Sequence, residues 1–108
     1  MFNKADLFAE RGQFCCCGCG LYAHDCHHAF VPNLKRFSEW VNDERNIILV
    51  NHSEHISRLF DNDEWRLKFW KRNVLRYGQE SMQEWLNAMP VKMDKHRFDF
   101  LGAGSSPR

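Results

Sequence analysis

The sequence predicts a small α+β domain in which two short strand-like segments precede a helical C-terminal half. The chain has 108 residues, enough for one domain. The run Ile47–Val50 is apolar and rich in β-branched residues, as in a buried strand. Phe30 and Val31 before Pro32 are typical of a short strand that ends in a turn. Apolar residues then recur at helical spacing between residues 62 and 89.

The remaining elements are predicted in chain order. Residues 1–14 indicate a short helix or an arm, and residues 33–45 indicate a short amphipathic helix or a folded loop. Ser53 is a suitable N-cap for a helix, and Asn62 or Asp63 can cap another that runs to about Tyr77, where Gly78 fits a break. A last apolar stripe consists of Met82, Trp85, Leu86 and Met89, and Pro90 ends it. Residues 102–108 are small and polar and predict a disordered tail.

Composition and charge exclude several classes of protein. Hydrophobic residues make up 44% and charged residues 27%, as in globular rather than disordered chains. The net charge is +1, so any surface for nucleic acid would have to be a local patch. No stretch approaches the ~20 apolar residues of a membrane span, and the N-terminus has no signal-peptide pattern. The expectation is a soluble, cytoplasmic protein without membrane partners.

Five cysteines fall within residues 15–26: Cys15, Cys16, Cys17, Cys19 and Cys26. Their odd number and their adjacency argue against a disulfide framework. In a reducing compartment such a cluster more often binds metal, and Cys16 and Cys19 have the C-x-x-C spacing of a zinc half-site. No second C-x-x-C follows, so the rest of the ligand set stays open.

Three features that carry chemistry follow in order: the pair His27-His28, then Asn46 just before the apolar run, then His55 near a helix start. With the C-x-x-C ahead of them, they resemble the motif of HNH endonucleases, also called the ββα-metal motif. The resemblance spans residues 16–55. Two shorter strings, residues 42–47 and 76–81, look like the end of phage NinG-type recombination nucleases.

This resemblance implies a ββα-metal core over residues 15–60 and a helical extension over 61–90, within one domain of residues 1–101. It implies a metal-dependent DNA endonuclease with His28 as general base, His27 and His55 as metal ligands, and Asn46 as the residue that orients the base or the hairpin. The metal would be Mg²⁺, Mn²⁺, Zn²⁺ or Ni²⁺. Asp25 precedes His27 by two residues, so on a strand it would share that face as a ligand or as an orienting group.

The sequence departs from the family pattern at three positions. Zinc-bearing members carry a second C-x-x-C five and eight residues after the asparagine, where this chain has Asn51 and Glu54. His52 lies beside the first of these, so the candidate structural zinc ligands are Cys16, Cys19 and His52, with Cys26 or a neighbouring cysteine as an alternative. Relatives with a third metal-binding histidine place it where this chain has Leu59, so water or Asp25 would have to fill in.

A positive run contains no acidic residue between residues 65 and 79 and could contact a phosphate backbone. Lys68, Arg72 and Arg76 share one helical face, and Lys35 and Arg36 lie in the loop between the histidine pair and Asn46. These five residues are the candidate DNA contacts, and the alternative is a solvated helix face.

Two other functions remain open at this point. One is a binding module for DNA or protein that keeps the HNH-like fold but has lost catalysis. The other is a zinc-stabilised adaptor built on the cysteine cluster. Because one active site cuts one strand, a double-strand cut by the nuclease would take two copies, so a homodimer is also among the expectations.

Overall fold

In the computed structural model, which describes residues 2–15 and 17–103 apart from the side chains at 95 and 103, the chain has a mixed α+β fold. The elements are α1 (Lys4–Arg11), β1 (Asp25–His28), α2 (Ser38–Val41), β2 (Ile47–Val50), α3 (His52–Ile56), α4 (Asp63–Tyr77), α5 (Gln79–Asn87) and α6 (Phe100–Ala103). This confirms the predicted class, a short β-hairpin plus helix followed by further helices. None of the helices in the described ranges is long and apolar enough to cross a membrane.

The two strands pair antiparallel, and α3 follows them after one residue. In the register His27 lies opposite Ile48 and His28 opposite Ile47. All four residues of β2 are buried, which explains their uniformly apolar character. The single connecting residue, Asn51, caps α3 because its Oδ1 accepts from the N–H groups of both Ser53 and Glu54. Asn51 therefore takes the N-cap position predicted for Ser53.

Two other predicted boundaries differ from the structure. The first strand ends at His28, and Phe30 and Val31 lie in the loop after it, because the buried side chain of Asn46 accepts from both of their N–H groups. Helix α6 continues to Ala103, two residues into the predicted tail. The rest of that tail, residues 104–108, lies outside the described residues.

Aromatic side chains join the hairpin loop to the helical half. The rings of Trp40 in α2 and Trp85 in α5 stack 4.3 Å apart, and each indole N–H donates to the other residue's carbonyl, at 2.7 and 3.0 Å. Asn62 caps α4 by accepting from Trp65 N, and Gly78 ends it at φ 89°, as predicted for a glycine break. The buried rings hold the loop between the strands in one position relative to α5.

Candidate active site and metal centre

Strand β1 and helix α3 bring two histidines and an aspartate together. The ring centroids of His27 and His55 lie 4.9 Å apart. Asp25 Oδ2 lies 2.9 Å from Nδ1 of His55 and 2.7 Å from Nδ1 of His52. Burial raises the pKa of Asp25, but the hydrogen bonds from His55 and His52 outweigh that effect and lower it. The ionised carboxylate only accepts, so Nδ1 of each ring donates to it, and in the Nδ1-protonated tautomer of His55 the lone pair lies on Nε2.

His27 is the buried member of this group, with only 8% of its surface exposed. Burial, followed by the nearby His55, lowers the pKa of His27 to about 4, so its ring is neutral at pH 7. Its Nε2 is buried and has no hydrogen-bond partner among the described residues. A buried polar atom without a partner is costly, and a metal ion would satisfy it. The neutral ring of His27, with His55 beside it, therefore fits the role of an imidazole ligand to a divalent ion.

His28 ends β1, directly after His27. Its Nε2 lies 2.8 Å from Oδ1 of Asn42, and its ring meets that of Phe2 edge-on, with centroids 6.3 Å apart. The ring is half-buried and lines the same cleft as His27 and His55. A neutral imidazole in this position can accept a proton from water near neutral pH.

Asn46 is fully buried and holds the loop after β1. Its Oδ1 accepts from Phe30 N and Val31 N, both at 3.1 Å. Its Nδ2 donates to Val31 O at 2.9 Å and to Val41 O at 2.8 Å. All these partners are backbone groups, so Asn46 acts on the position of the loop and the hairpin.

A cleft of about 670 Å³ opens over the histidines. Arginines from three separate segments line it: Arg58, Arg66 and Arg97. Asp61 and Asp63 also line it, and they pair with Arg58 at 2.8 Å and with Arg66 at 2.9 Å. A wall with guanidinium groups suits an anionic ligand such as phosphate. No local pattern linked Arg58 and Arg97 to the site, because only the folded chain brings them together.

A second site lies between the cysteine segment and the first turn of α3. Cys15, Cys17, Cys19 and Glu54 place their ligand atoms within 4.8 Å of one another, the only such group of three or more in the described part of the chain. Oε1 of Glu54 lies 3.4 Å from Cys15 Sγ, 3.5 Å from Cys17 Sγ and 2.9 Å from Cys19 Sγ. Zinc–sulfur bonds of about 2.3 Å and a zinc–oxygen bond of about 2.0 Å at a tetrahedral ion would place sulfur and oxygen about 3.5 Å apart, close to the distances from Glu54 to Cys15 and Cys17. This cluster could hold a metal ion.

The thiols of this cluster are partly sheltered from water. Burial raises the pKa values of Cys15 and Cys17, and their contacts with one another raise that of Cys17 further. Hydrogen bonding from Cys19 lowers the pKa of Glu54. A bound cation would favour the thiolate forms and release their protons.

The four members of the cluster differ from the predicted zinc ligands. Cys19 belongs to it, whereas Cys16 lies outside the described residues. His52 is not a member, because its ring turns to Asp25 instead. Glu54 is the fourth candidate ligand, at the position eight residues after Asn46 where the zinc-bearing HNH endonucleases that the sequence resembles have a cysteine. The absence of a second C-x-x-C marks this position in the sequence. A glutamate there, however, has no local pattern that predicts a metal ligand.

The predicted DNA contacts lie elsewhere. Lys68 pairs with Glu64 at 3.2 Å and also lies over the Trp65 ring, 4.5 Å from its centroid. Arg36 lies over the ring of Phe37. Three further residues complete the set: exposed Lys35, Arg72 beside Gly18 of the cysteine segment, and Arg76, which donates to Asn73 Oδ1. Within the described chain, none of the five belongs to the wall of the cleft.

No protein-family model matches this sequence, and comparisons with curated proteins and with solved structures give no match either. The function therefore has to be inferred from the residues of the site and their geometry.

Proposed function

We propose that this protein is a metal-dependent endonuclease of the HNH type, which hydrolyses phosphodiester bonds in DNA. The observation that carries the proposal is the buried, neutral His27, whose unpartnered Nε2 lies beside His55 in a cleft that also holds His28. The antiparallel strand pair followed directly by α3 is the arrangement to which the motif's other name, ββα-metal, refers.

His27 and His55 would hold the ion, and Asp25 fixes the ring of His55 through its Nδ1. Bound there, a divalent cation supplies positive charge that stabilises the pentavalent phosphate and the leaving 3′ oxygen. Two imidazoles favour a transition metal such as Mn²⁺, Ni²⁺ or Zn²⁺, while abundance in cells favours Mg²⁺.

His28 is the general base of the proposed reaction. It takes the proton from the attacking water, whose oxygen then forms the new bond to phosphorus as the bond to the 3′ oxygen breaks. Arg58 and Arg66 bind the flanking phosphates, which compete for the two guanidinium groups with Asp61 and Asp63. Asn46 has no contact with the reacting groups and serves by holding the loop that follows the base.

The cysteine cluster is proposed to hold a structural zinc ion. Four protein ligand atoms already lie within 4.8 Å of one another, which leaves no open position for substrate. The cluster also supports the second candidate function, a zinc adaptor without catalysis. That alternative requires the cleft histidines to be dispensable for function.

The proposed partner is DNA, contacted mainly through its backbone, since guanidinium groups line the cleft. Duplex or branched DNA in a phage-related recombination setting is the proposed substrate. Cleavage of both strands would require two copies of the chain.

Incubation of the protein with supercoiled plasmid, in EDTA and in each of Mg²⁺, Mn²⁺, Ni²⁺ and Zn²⁺, tests the proposal. Metal-dependent nicking that disappears in His28→Ala and persists in His24→Ala is the expected result. His24 is the matched control because it is exposed and outside the cleft wall. Intact plasmid and intact branched DNA under every metal, together with one zinc per chain, would instead establish the adaptor.

A further inference from the structure

The side chain of Asn42 hydrogen-bonds to the proposed base, and its own partners fix which way its amide points. It ends α2, and its Nδ2 lies 3.0 Å from the carbonyl oxygen of Ser38. The same nitrogen lies 3.2 Å from Oδ1 of Asn33. Oδ1 of Asn42 faces the other way, 2.8 Å from Nε2 of His28.

These contacts determine the tautomer of His28. A backbone carbonyl only accepts hydrogen bonds, so the atom of Asn42 that faces Ser38 O has to be the NH₂ group. The atom that faces His28 is then the amide oxygen, which also only accepts. Nε2 of His28 must therefore carry the proton and donate it to Asn42 Oδ1. In a neutral imidazole this leaves the lone pair on Nδ1.

We infer that Asn42 is a positioning residue that holds His28 in its Nε2-protonated form, so that Nδ1 is the atom that accepts the proton from water. This rests on the proposed function, because only a nuclease needs His28 to act as a base. Asn42 contacts the base and not the reacting atoms, so it acts through His28.

The fold makes Asn42 a rigid support. Its backbone N–H donates to Ser38 O at 3.0 Å, and its carbonyl accepts from Phe2 N at 2.8 Å. The ring of Phe2 also meets the ring of His28. Hydrogen bonds from α2, the N-terminal segment and the loop after β1 thus hold the backbone and side chain of Asn42. Its side chain in turn fixes the Nε2 edge of the His28 ring.

Long-range ¹H–¹⁵N NMR spectra of the intact protein test the tautomer directly, with the His28 signals assigned by comparison with His28→Gln. In the wild type we expect an unprotonated Nδ1 and a protonated Nε2. The opposite pattern would overturn the inference, whether or not the protein cleaves DNA. In Asn42→Ala, we expect the two nitrogens to show averaged shifts of mixed tautomers.

Cleavage kinetics test the positioning role. Asn42→Ala should lower kcat by about 10- to 100-fold with little change in KM, because a misplaced base slows the chemical step more than binding. Asn42→Asp keeps an acceptor toward Nε2 and should recover both the wild-type tautomer and part of the lost rate. Asn87→Ala, on the far end of α5, should leave the rate unchanged.

Two results would separate the failure of this inference from that of the proposed function. Wild-type cleavage that survives in Asn42→Ala at an unchanged kcat would overturn the positioning role and leave the nuclease standing. A wild type that cleaves no DNA under any metal would overturn the proposed function, and the catalytic role of Asn42 with it.

Discussion

The two candidate sites share helix α3 and differ in how complete they are. Glu54 faces the cysteine cluster, and the next residue, His55, faces the cleft. The cluster gathers four ligand atoms from the protein, whereas the cleft offers two imidazoles beside an open volume. Closed sites of the first kind are typical of structural metals, and open sites of the second kind leave room for substrate and water. One short helix therefore links a site that stabilises to a site that can react.

The largest expected effect is a loss of activity at the cleft with no change at the cysteine cluster. His28→Ala should reduce metal-dependent plasmid nicking by about 10²- to 10⁴-fold, the usual contribution of a general base. Because His28 lies in the cleft wall and not in the cluster, the zinc content measured by mass spectrometry or by a colorimetric chelator should stay the same. A variant that lost zinc along with activity would show that the two sites are not independent.

The second effect starts in the cluster and reaches the cleft. Glu54→Gln replaces an anionic ligand by a neutral amide, so zinc affinity should fall. The unfolding temperature should drop by about 10 °C, the shift expected for a loss of roughly 2 kcal/mol in a domain of this size. Since Glu54 and His55 are adjacent in α3, nicking should fall as well. Calorimetry and the plasmid assay measure the two effects.

Glu10→Gln is the control for this change, since Glu10 is an exposed glutamate of α1. A Glu54→Gln protein with wild-type zinc content and unfolding temperature would remove Glu54 from the ligand set.

The third effect concerns the cleft without its ion. The folded pKa of His27 is about 4 against an ordinary 6.5, so between these values the unfolded chain binds more protons than the folded chain. The free energy of unfolding should therefore fall as pH falls from 7 to 4, and His27 should contribute about 3 kcal/mol of that loss. Urea unfolding of the wild type and of His27→Gln, without Mg²⁺ or Mn²⁺, measures the difference. Parallel pH dependence in the two proteins would contradict a neutral buried His27.

Local patterns in the sequence were sufficient for most of the elements and for part of the site. The β-branched run predicted β2, and Asn62 with Gly78 predicted both ends of α4, because caps and propensities act over a few residues. Strand alternation predicted that Asp25 and His27 would share a face, and the structure places both in contact with His55.

Contacts between distant segments were beyond the reach of those patterns. Asn42 looks like a turn residue, and only the folded chain brings its amide to His28. Glu54 looks like an ordinary first-turn acid of a helix, and its role appears only when the cysteine segment folds over it. Arg58 lies in the turn after α3 and Arg97 in a short 3-10 helix near the C-terminal end, so their shared cleft is a property of the tertiary structure.

The smallest expected effect concerns Arg58, which follows α3 and lines the cleft. Arg58 is the one non-glycine residue with positive φ in the described chain, at 64°, and it also pairs with Asp61. Left-handed backbone costs an ordinary residue about 1 kcal/mol, and glycine avoids this cost.

Arg58→Gly and Arg58→Ala both remove the guanidinium, so DNA binding and nicking should weaken to the same extent in both. Only glycine removes the cost of the positive φ, so the free energy of unfolding of Arg58→Gly should be about 1 kcal/mol higher than that of Arg58→Ala. Equal stability of the two variants would mean that the turn is unstrained, and full nicking activity in both would remove Arg58 from the phosphate-binding wall.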